Sequence, residues 1–235
     1  MNVAVIPARG GSKRIPRKNI QEFCGKPMIA WPIEVAKESG LFERILVSTD
    51  DEEIAEISIK YGAEVPFVRP DELSDDFTGT TDVIAHSVSW MYEQKWNLEE
   101  ICCIYATAVF LTVDDLLKGF DAINAGKWQY AISITDFHYP IYRSFIKHFD
   151  GGLEMVFPEH FQSRSQDLPE AFHDAAQFYW GKPDAWLNKL KLFDNHTYPI
   201  KIPNTRVQDI DTKEDWLQAE LLFKKKINIE DQELK

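Results

Sequence analysis

The 235 residues of the chain include 38 acids against 26 Lys and Arg, a net charge of −12, and that balance excludes general affinity for nucleic acid or an anionic membrane surface. With 44% hydrophobic and 27% charged residues, the length suits one packed α/β domain over 1–235 and is too short for two large ones. The longest apolar run, ICCIYATAVFL at 101–111, falls well short of the roughly 20 residues a bilayer span needs and reads as a buried strand. No secretion signal is visible, because the first apolar stretch runs directly into Arg9. Three cysteines, two of them adjacent at Cys102 and Cys103, give neither a disulfide framework nor metal-ligand spacing, so a cytoplasmic protein is expected.

In chain order, NVAVIP at 2–7 predicts a strand that gives way at once to the glycine-containing stretch ARGGSKRIPRKN. A helix follows over about 27–40, with Pro32 expected to kink it or move its start later. Next come a strand at 44–48 (RILVS), a helix over 51–61 that Asp50 can cap, and a strand at 64–68 (EVPFV). After the loop 69–79 the pattern predicts a helix to about 95, the buried strand 101–107, a helix over 113–125 and a strand at 130–135 (YAISI). From about 137 to 180 aromatic residues crowd in and Asp150-Gly151-Gly152 reads as a hairpin turn, so an extended β excursion is expected there. A short helix over 183–191, a strand at 198–202 and an amphipathic helix over 212–226 complete the chain. Strands alternating with helices mean a mostly parallel sheet covered on both faces, with ligands at the carboxyl ends of its strands. The loop 8–18 lies at that edge.

Within an acidic chain, the segment 9–26 runs the other way, holding Arg9, Lys13, Arg14, Arg17, Lys18 and Lys26 against the single acid Glu22. Gly10 and Gly11 allow a tight turn whose N–H groups can meet phosphate oxygens, and the cations can neutralise them. Neither a Walker loop nor GxGxxG is present, and by the residues alone a phosphate cradle and a plain basic turn both stay open. Asp209 and Asp211 in QDIDTKED are spaced i, i+2 after an apolar strand, which points both carboxylates to one side, as a hard cation requires. The same residues also read as an acidic helix N-terminus, with Asp211 capping a helix from Thr212. The six histidines show no metal spacing.

As a whole string, IPARGGSKRIPRKNI closely resembles the N-terminal signature of the acylneuraminate cytidylyltransferases, the CMP-sialic acid synthetase family. VSTDDEEIAEISIKYGAEVPFVRP at 47–70, QDLPEAF at 166–172 and QDIDTKED at 208–215 follow in the family's order, so the resemblance covers nearly the whole chain. It implies a doubly wound, Rossmann-like nucleotidyltransferase domain, CTP at the first loop, Mg2+, and a homodimer in which a β excursion at 137–176 helps close the partner's site. By the same resemblance, Ala8, Arg9, Gly10, Gly11, Ser12, Lys13, Lys18 and Asn19 hold the CTP phosphates and pentose. Arg69, Thr78 and Thr80 read the cytosine, Asp209 and Asp211 hold the metal, and Lys13, Lys18 and Asp211 carry the transfer chemistry.

Departures from the family pattern bear on the sugar. Many members have QPTSPLR where this chain has YATAVFL at 105–111. Where others have RRQDLP followed by an Asn-Gly pair, this chain has RSQDLPEAFHDAAQFYW, with Ser165, Asp174 and Ala175 at those places. With FHYPIYRSF at 137–145, this looks most like the branch that takes pseudaminic acid, a nine-carbon acidic sugar. Arg143 and Arg164 are the candidates for the sugar carboxylate by charge, and Gln166, His173 and Gln177 for its other polar groups, with His138 in the same region. The same reaction on N-acetylneuraminic or legionaminic acid is the nearest alternative. A catalytically silent nucleotide-binding protein is the alternative of another class, against which intact Arg9, Lys18, Asp209 and Asp211 weigh.

Overall fold

The computed structural model describes residues 1–233, and side chains for residues 1–225. In chain order the elements are β1 (Asn2–Pro7), β2 (Glu22–Phe23), β3 (Lys26–Pro27), α1 (Ala30–Ser39), β4 (Arg44–Ser48), α2 (Glu52–Lys60), α3 (Thr80–Glu93), β5 (Glu100–Ile104), α4 (Val113–Asn124), β6 (Tyr130–Asp136), β7 (Phe145–Lys147), β8 (Leu153–Met155), β9 (Phe172–Gly181), α5 (Pro183–Leu187), β10 (Thr197–Lys201) and α6 (Lys213–Glu233). Six strands form one sheet in the order β10-β6-β9-β5-β1-β4. All are parallel except β9, which runs antiparallel to both β5 and β6.

Alternation along the strands feeds two separate cores. Ala4, Ile6, Val47, Cys102, Ile104 and Trp180 pack with α1, α2 and α4 on one face. Val3, Val5, Leu46, Cys103, Ile132 and Tyr179 pack with α3 and α5 on the other. Because both faces are covered, β5 is buried at every position, which is why its sequence reads as an unbroken apolar run. A third cluster joins Ile15, Phe23 and Met28 to Ile210, Trp216 and Phe223. It fastens α6 to the β2–β3 hairpin, with about 2 kcal/mol for each large apolar side chain removed from water. Among the described residues no helix is long and apolar enough to cross a membrane.

Several local expectations are corrected. The first helix begins at Ala30, and residues before it form the β2–β3 hairpin, turned by Cys24 (φ 48°) and Gly25 (φ 97°). Pro32 falls in the first helical turn, where no N–H is required, so it causes no kink. Asp51, not Asp50, caps α2 by accepting from Ile54 N–H at 3.0 Å. The expected strand at 64–68 is reduced to isolated bridges, Leu46 with Glu64 and Thr49 with Val68, since Pro66 between them cannot donate to a ladder. The segment read as an excursion to 180 contains β9, a central strand of the main sheet. Only the β7–β8 hairpin, turned at Gly151, fits the excursion reading.

Candidate active site

The loop after β1 is shaped by acids that follow β4. Ala8 N–H donates to Ser48 O at 2.9 Å, so the chain leaves β1 still tied to its neighbour. Gly10 N–H donates to Asp50 Oδ1 at 2.9 Å, and a Cβ at Gly10 would lie 2.7 Å from Asp51 Oδ2, so the close approach requires glycine. Gly11 has no such constraint, because nothing lies within 4 Å of its Cβ direction. Arg17 adopts φ 58°, and its guanidinium grips both oxygens of Asp51 and the carboxylate of Glu53. That clamp holds the turn which sends Lys18 and Asn19 back beneath the loop. Asn19 Nδ2 then donates to Arg9 O at 3.1 Å.

A cavity of about 490 Å3 opens beside this loop, where β1 and β5 diverge at their carboxyl ends. β4 was laid down on one side of β1 and β5 on the other, which makes this the topological switch point at which α/β sheets bind ligands. Arg9, Ser12, Lys13, Arg14, Lys18 and Asn19 line it from the loop, Arg69, Asp76, Thr78 and Thr80 from the segment before and opening α3, Tyr105 and Thr107 from beyond β5, and Asp211 from the start of α6. Ala8, Gly10 and Gly11 do not line it and act as loop backbone behind it.

The cations are held by two carboxylates. Arg9 meets Asp76 Oδ1 at 2.8 Å and Asp75 O at 2.6 Å, and Lys13 bonds the other oxygen of Asp76. Arg14 pairs with Asp211 at 2.8 Å. Lys18 Nζ donates to Ile210 O at 2.5 Å and lies 3.3 Å from Asp211 Oδ1. Arg69 is 4% exposed, donates from Nε to Ser48 Oγ at 3.1 Å and also bonds Ser48 O. Burial lowers its guanidinium to about 10, which leaves it charged at neutral pH.

Asp211 does not cap the helix after it. Thr212 and Asp215 form that cap, with Thr212 N–H donating to Asp215 Oδ2 at 2.7 Å and Asp215 N–H to Thr212 Oγ1 at 3.2 Å. The Asp211 carboxylate is left facing the cavity. Ile210, buried beside α6, separates it from Asp209. Partial desolvation raises the Asp209 carboxyl from its ordinary value and the charge of Asp211 adds to this, against the opposing pull of Lys18, although the residue as a whole is exposed.

Asp209 lines a second cavity of about 410 Å3 together with Thr135, His138, His173, Asp174 and Gln208. Gln177 sits in the narrow gap between the cavities with Thr107 and Asp209. Its Nε2 donates to Arg206 O at 2.7 Å, and its buried Oε1 has no partner. Arg143, Arg164 and Gln166 line neither cavity in the single chain. Arg143 is occupied by Phe161 O and Ser163 O, and Arg164 by Asp167 at 2.7 Å, three residues on. The sequence alone did not point to Asp50, Asp76 or Tyr105 as site groups, and Arg14 was visible only as one of the loop's cations. An acid among the cations was the available signal for Asp76, since a dense cation cluster needs a counter-charge when no anion is bound.

A switch-point cavity walled by cations and their carboxylate partners, on a sheet of this topology, has the form of a nucleotidyltransferase of the α/β class. The family model described as cytidylyltransferase matches residues 3–148, and the chain belongs to that family. It is 43% identical over 223 residues to a pseudaminic acid cytidylyltransferase of Campylobacter jejuni subsp. jejuni serotype O:2, covering 95% of this chain and 96% of that one. It is 29% identical to a CMP-N,N'-diacetyllegionaminic acid synthase of Legionella pneumophila subsp. pneumophila, covering 94% and 95%. In fold it is similar to a CMP:2-keto-3-deoxy-manno-octonic acid synthetase solved with CTP, at a TM-score of 0.70 and 17% identity, with 96% of this chain and 99% of that chain covered.

Proposed function

We propose that the chain transfers CMP from CTP to pseudaminic acid with release of pyrophosphate, and that it acts in the cytoplasm. The observation that carries this reading is one cavity gathering Arg9, Lys13, Lys18 and Asn19 opposite Arg69, Thr78 and Thr80, with Asp211 at its wall. In this reading Arg9, Ser12, Lys13 and Asn19 hold the triphosphate and pentose, while Arg69, Thr78 and Thr80 face the cytosine. Phosphate oxygens replace Asp76 as partners of Arg9 and Lys13, so a charge pair is exchanged and no bare cation cluster is ever required. Lys18 is fixed by Ile210 O before substrate arrives, and a donor already in place stabilises charge as it develops on the α-phosphate without reorganising.

Asp209 and Asp211 fit a divalent cation. Both offer hard oxygen ligands on either side of an anchored Ile210, and a cation bound there would take the place of Arg14 and Lys18 as the partner of Asp211. Mg2+ keeps waters and substrate oxygens in its shell, so one or two protein carboxylates can hold it. When bound, Mg2+ supplies charge neutralisation and alignment at the reacting phosphate. The sugar is assigned to the second cavity, where His138, His173 and Asp174 present polar groups, with Gln177 in the gap toward the nucleotide. Its anomeric hydroxyl attacks the α-phosphate and pyrophosphate leaves toward Lys13.

The proposal extends to a homodimer of single-domain subunits joined through 137–176. Tyr139, Phe145, Phe149, Leu153 and Phe161 stand exposed on this one segment, and apolar side chains gathered in one exposed stretch suit a protein interface. Arg143, Arg164 and Gln166 are proposed to serve the sugar in that dimer. Pyrophosphate release on mixing the chain with CTP, Mg2+ and pseudaminic, legionaminic or N-acetylneuraminic acid tests the reading. Release with none of the three would contradict it.

A further inference from the structure

Four side chains running between the two cavities are joined by hydrogen bonds that the transfer chemistry does not use. Thr80 Oγ1, at the start of α3, lies 3.1 Å from Tyr105 Oη. Tyr105 Oη donates to Tyr179 Oη at 3.3 Å, and Tyr179 Oη donates to Asp174 Oδ2. The other oxygen of Asp174 accepts from Ala176 N–H at 2.8 Å, holding Ala176 at φ 49° in the bulge where β9 slips against β6. Thr80 and Tyr105 line the nucleotide cavity, whereas Asp174 lines the second one.

Each hydroxyl has one proton to give. Burial pushes the Tyr105 phenol up to about 12 and the Tyr179 phenol higher still, so both keep their protons at neutral pH. Asp174 accepts at both oxygens, as a carboxylate does. Tyr179 therefore commits its proton to Asp174 and can only accept from Tyr105. Tyr105, its proton committed in turn, can only accept from Thr80. The Thr80 proton points inward, and lone pairs are what its oxygen offers to the cavity.

We propose that Asp174 is a specificity-determining positioning residue: through Tyr179 and Tyr105 it makes Thr80 an acceptor, so that the nucleotide cavity favours a base edge bearing an amino group over one bearing a carbonyl. This rests on the reading above that Thr80 faces the base. Cytosine presents an amino donor at position 4 where uracil presents a carbonyl. An acceptor meeting an acceptor in a closed site leaves both unpaired, which is how a polar pocket rejects a close analogue.

Calorimetric titration of the full chain with CTP and with UTP, in the absence of sugar, tests the wiring. In Asp174→Asn the amide oxygen still accepts from Ala176 N–H and the amide nitrogen turns to Tyr179, which reverses the chain and lets Thr80 donate outward. Tyr105→Phe cuts the chain and frees the Thr80 proton. The ratio of CTP to UTP affinity is expected to fall about tenfold or more in both variants. A merely structural role for Asp174 would weaken both nucleotides alike and leave the ratio unchanged. If Asp174→Asn does not fold, Tyr105→Phe decides alone. A wild-type chain that fails to bind CTP overturns the functional reading and the wiring with it. A wild-type preference for CTP that survives in the variants overturns the wiring only.

Discussion

Asp211 and Lys18 carry the sharpest consequences at the scale of single residues. Because Thr212 and Asp215 cap α6 without help from Asp211, Asp211→Ala is expected to abolish turnover while thermal unfolding stays within a few degrees of wild type. Near-normal activity with Mg2+ would return Asp211 to a structural role. Lys18 is fixed by a backbone carbonyl at 2.5 Å, so Lys18→Ala should lower kcat on the order of 10²-fold, the usual effect of losing a preorganised charge facing the transition state. A rise confined to the Michaelis constant for CTP would make Lys18 a binding group only. The loop cations of this site were legible in the sequence because like charges crowd there against the trend of the whole chain, whereas Arg69 came only from the family resemblance. Their counter-charges were not, since Asp50 and Asp76 reach Gly10, Arg9 and Lys13 only across 40 to 67 residues of chain.

Among the elements, α4 depends on a pair that bridges distant segments. Arg206 grips Asp115 at 2.6 and 2.9 Å, and the Asp115 side chain is 2% exposed. Burial alone would raise the Asp115 carboxyl, but Arg206 and Thr112 outweigh it and hold it below the usual range. Asp115→Ala should therefore destabilise the chain by about 3 kcal/mol in urea unfolding at pH 7, the low end for breaking a buried pair because Arg206 keeps an edge in water. A depressed carboxyl contributes stability above its unfolded value, near 4, and loses it as pH falls through the lower folded one. The gap between wild type and variant should stay constant from about pH 8 to 5 and narrow below about pH 4. A gap independent of pH down to about 2 would contradict the pairing. Helices α2, α3 and α4 and strands β1, β4, β5 and β6 were legible because period and caps agree locally. β9 was not. Its FYWG end is buried on both sides, and within an aromatic-rich stretch such a run shows no alternation to separate it from the hairpin before it.

At the scale of the whole molecule, the β7–β8 hairpin and its neighbours leave apolar rings in water that a second copy would cover. Sedimentation at micromolar concentration should show a dimer, and Phe149→Asp with Phe161→Asp should shift it toward monomer. A wild-type monomer under those conditions would remove the proposed assembly. The proposed reaction gains a sugar preference if the second cavity holds the sugar, as proposed. Polar groups such as His138, His173 and Asp174 line that cavity, and a polar pocket separates stereoisomers by what a mismatch leaves unpaired, far better than apolar contact does. The most direct measurement is the specificity constant for pyrophosphate release from CTP and Mg2+ with pseudaminic acid and with N-acetylneuraminic acid, assayed side by side. Pseudaminic acid is expected to be preferred by roughly 10²-fold or more. Equal or better use of N-acetylneuraminic acid would contradict it.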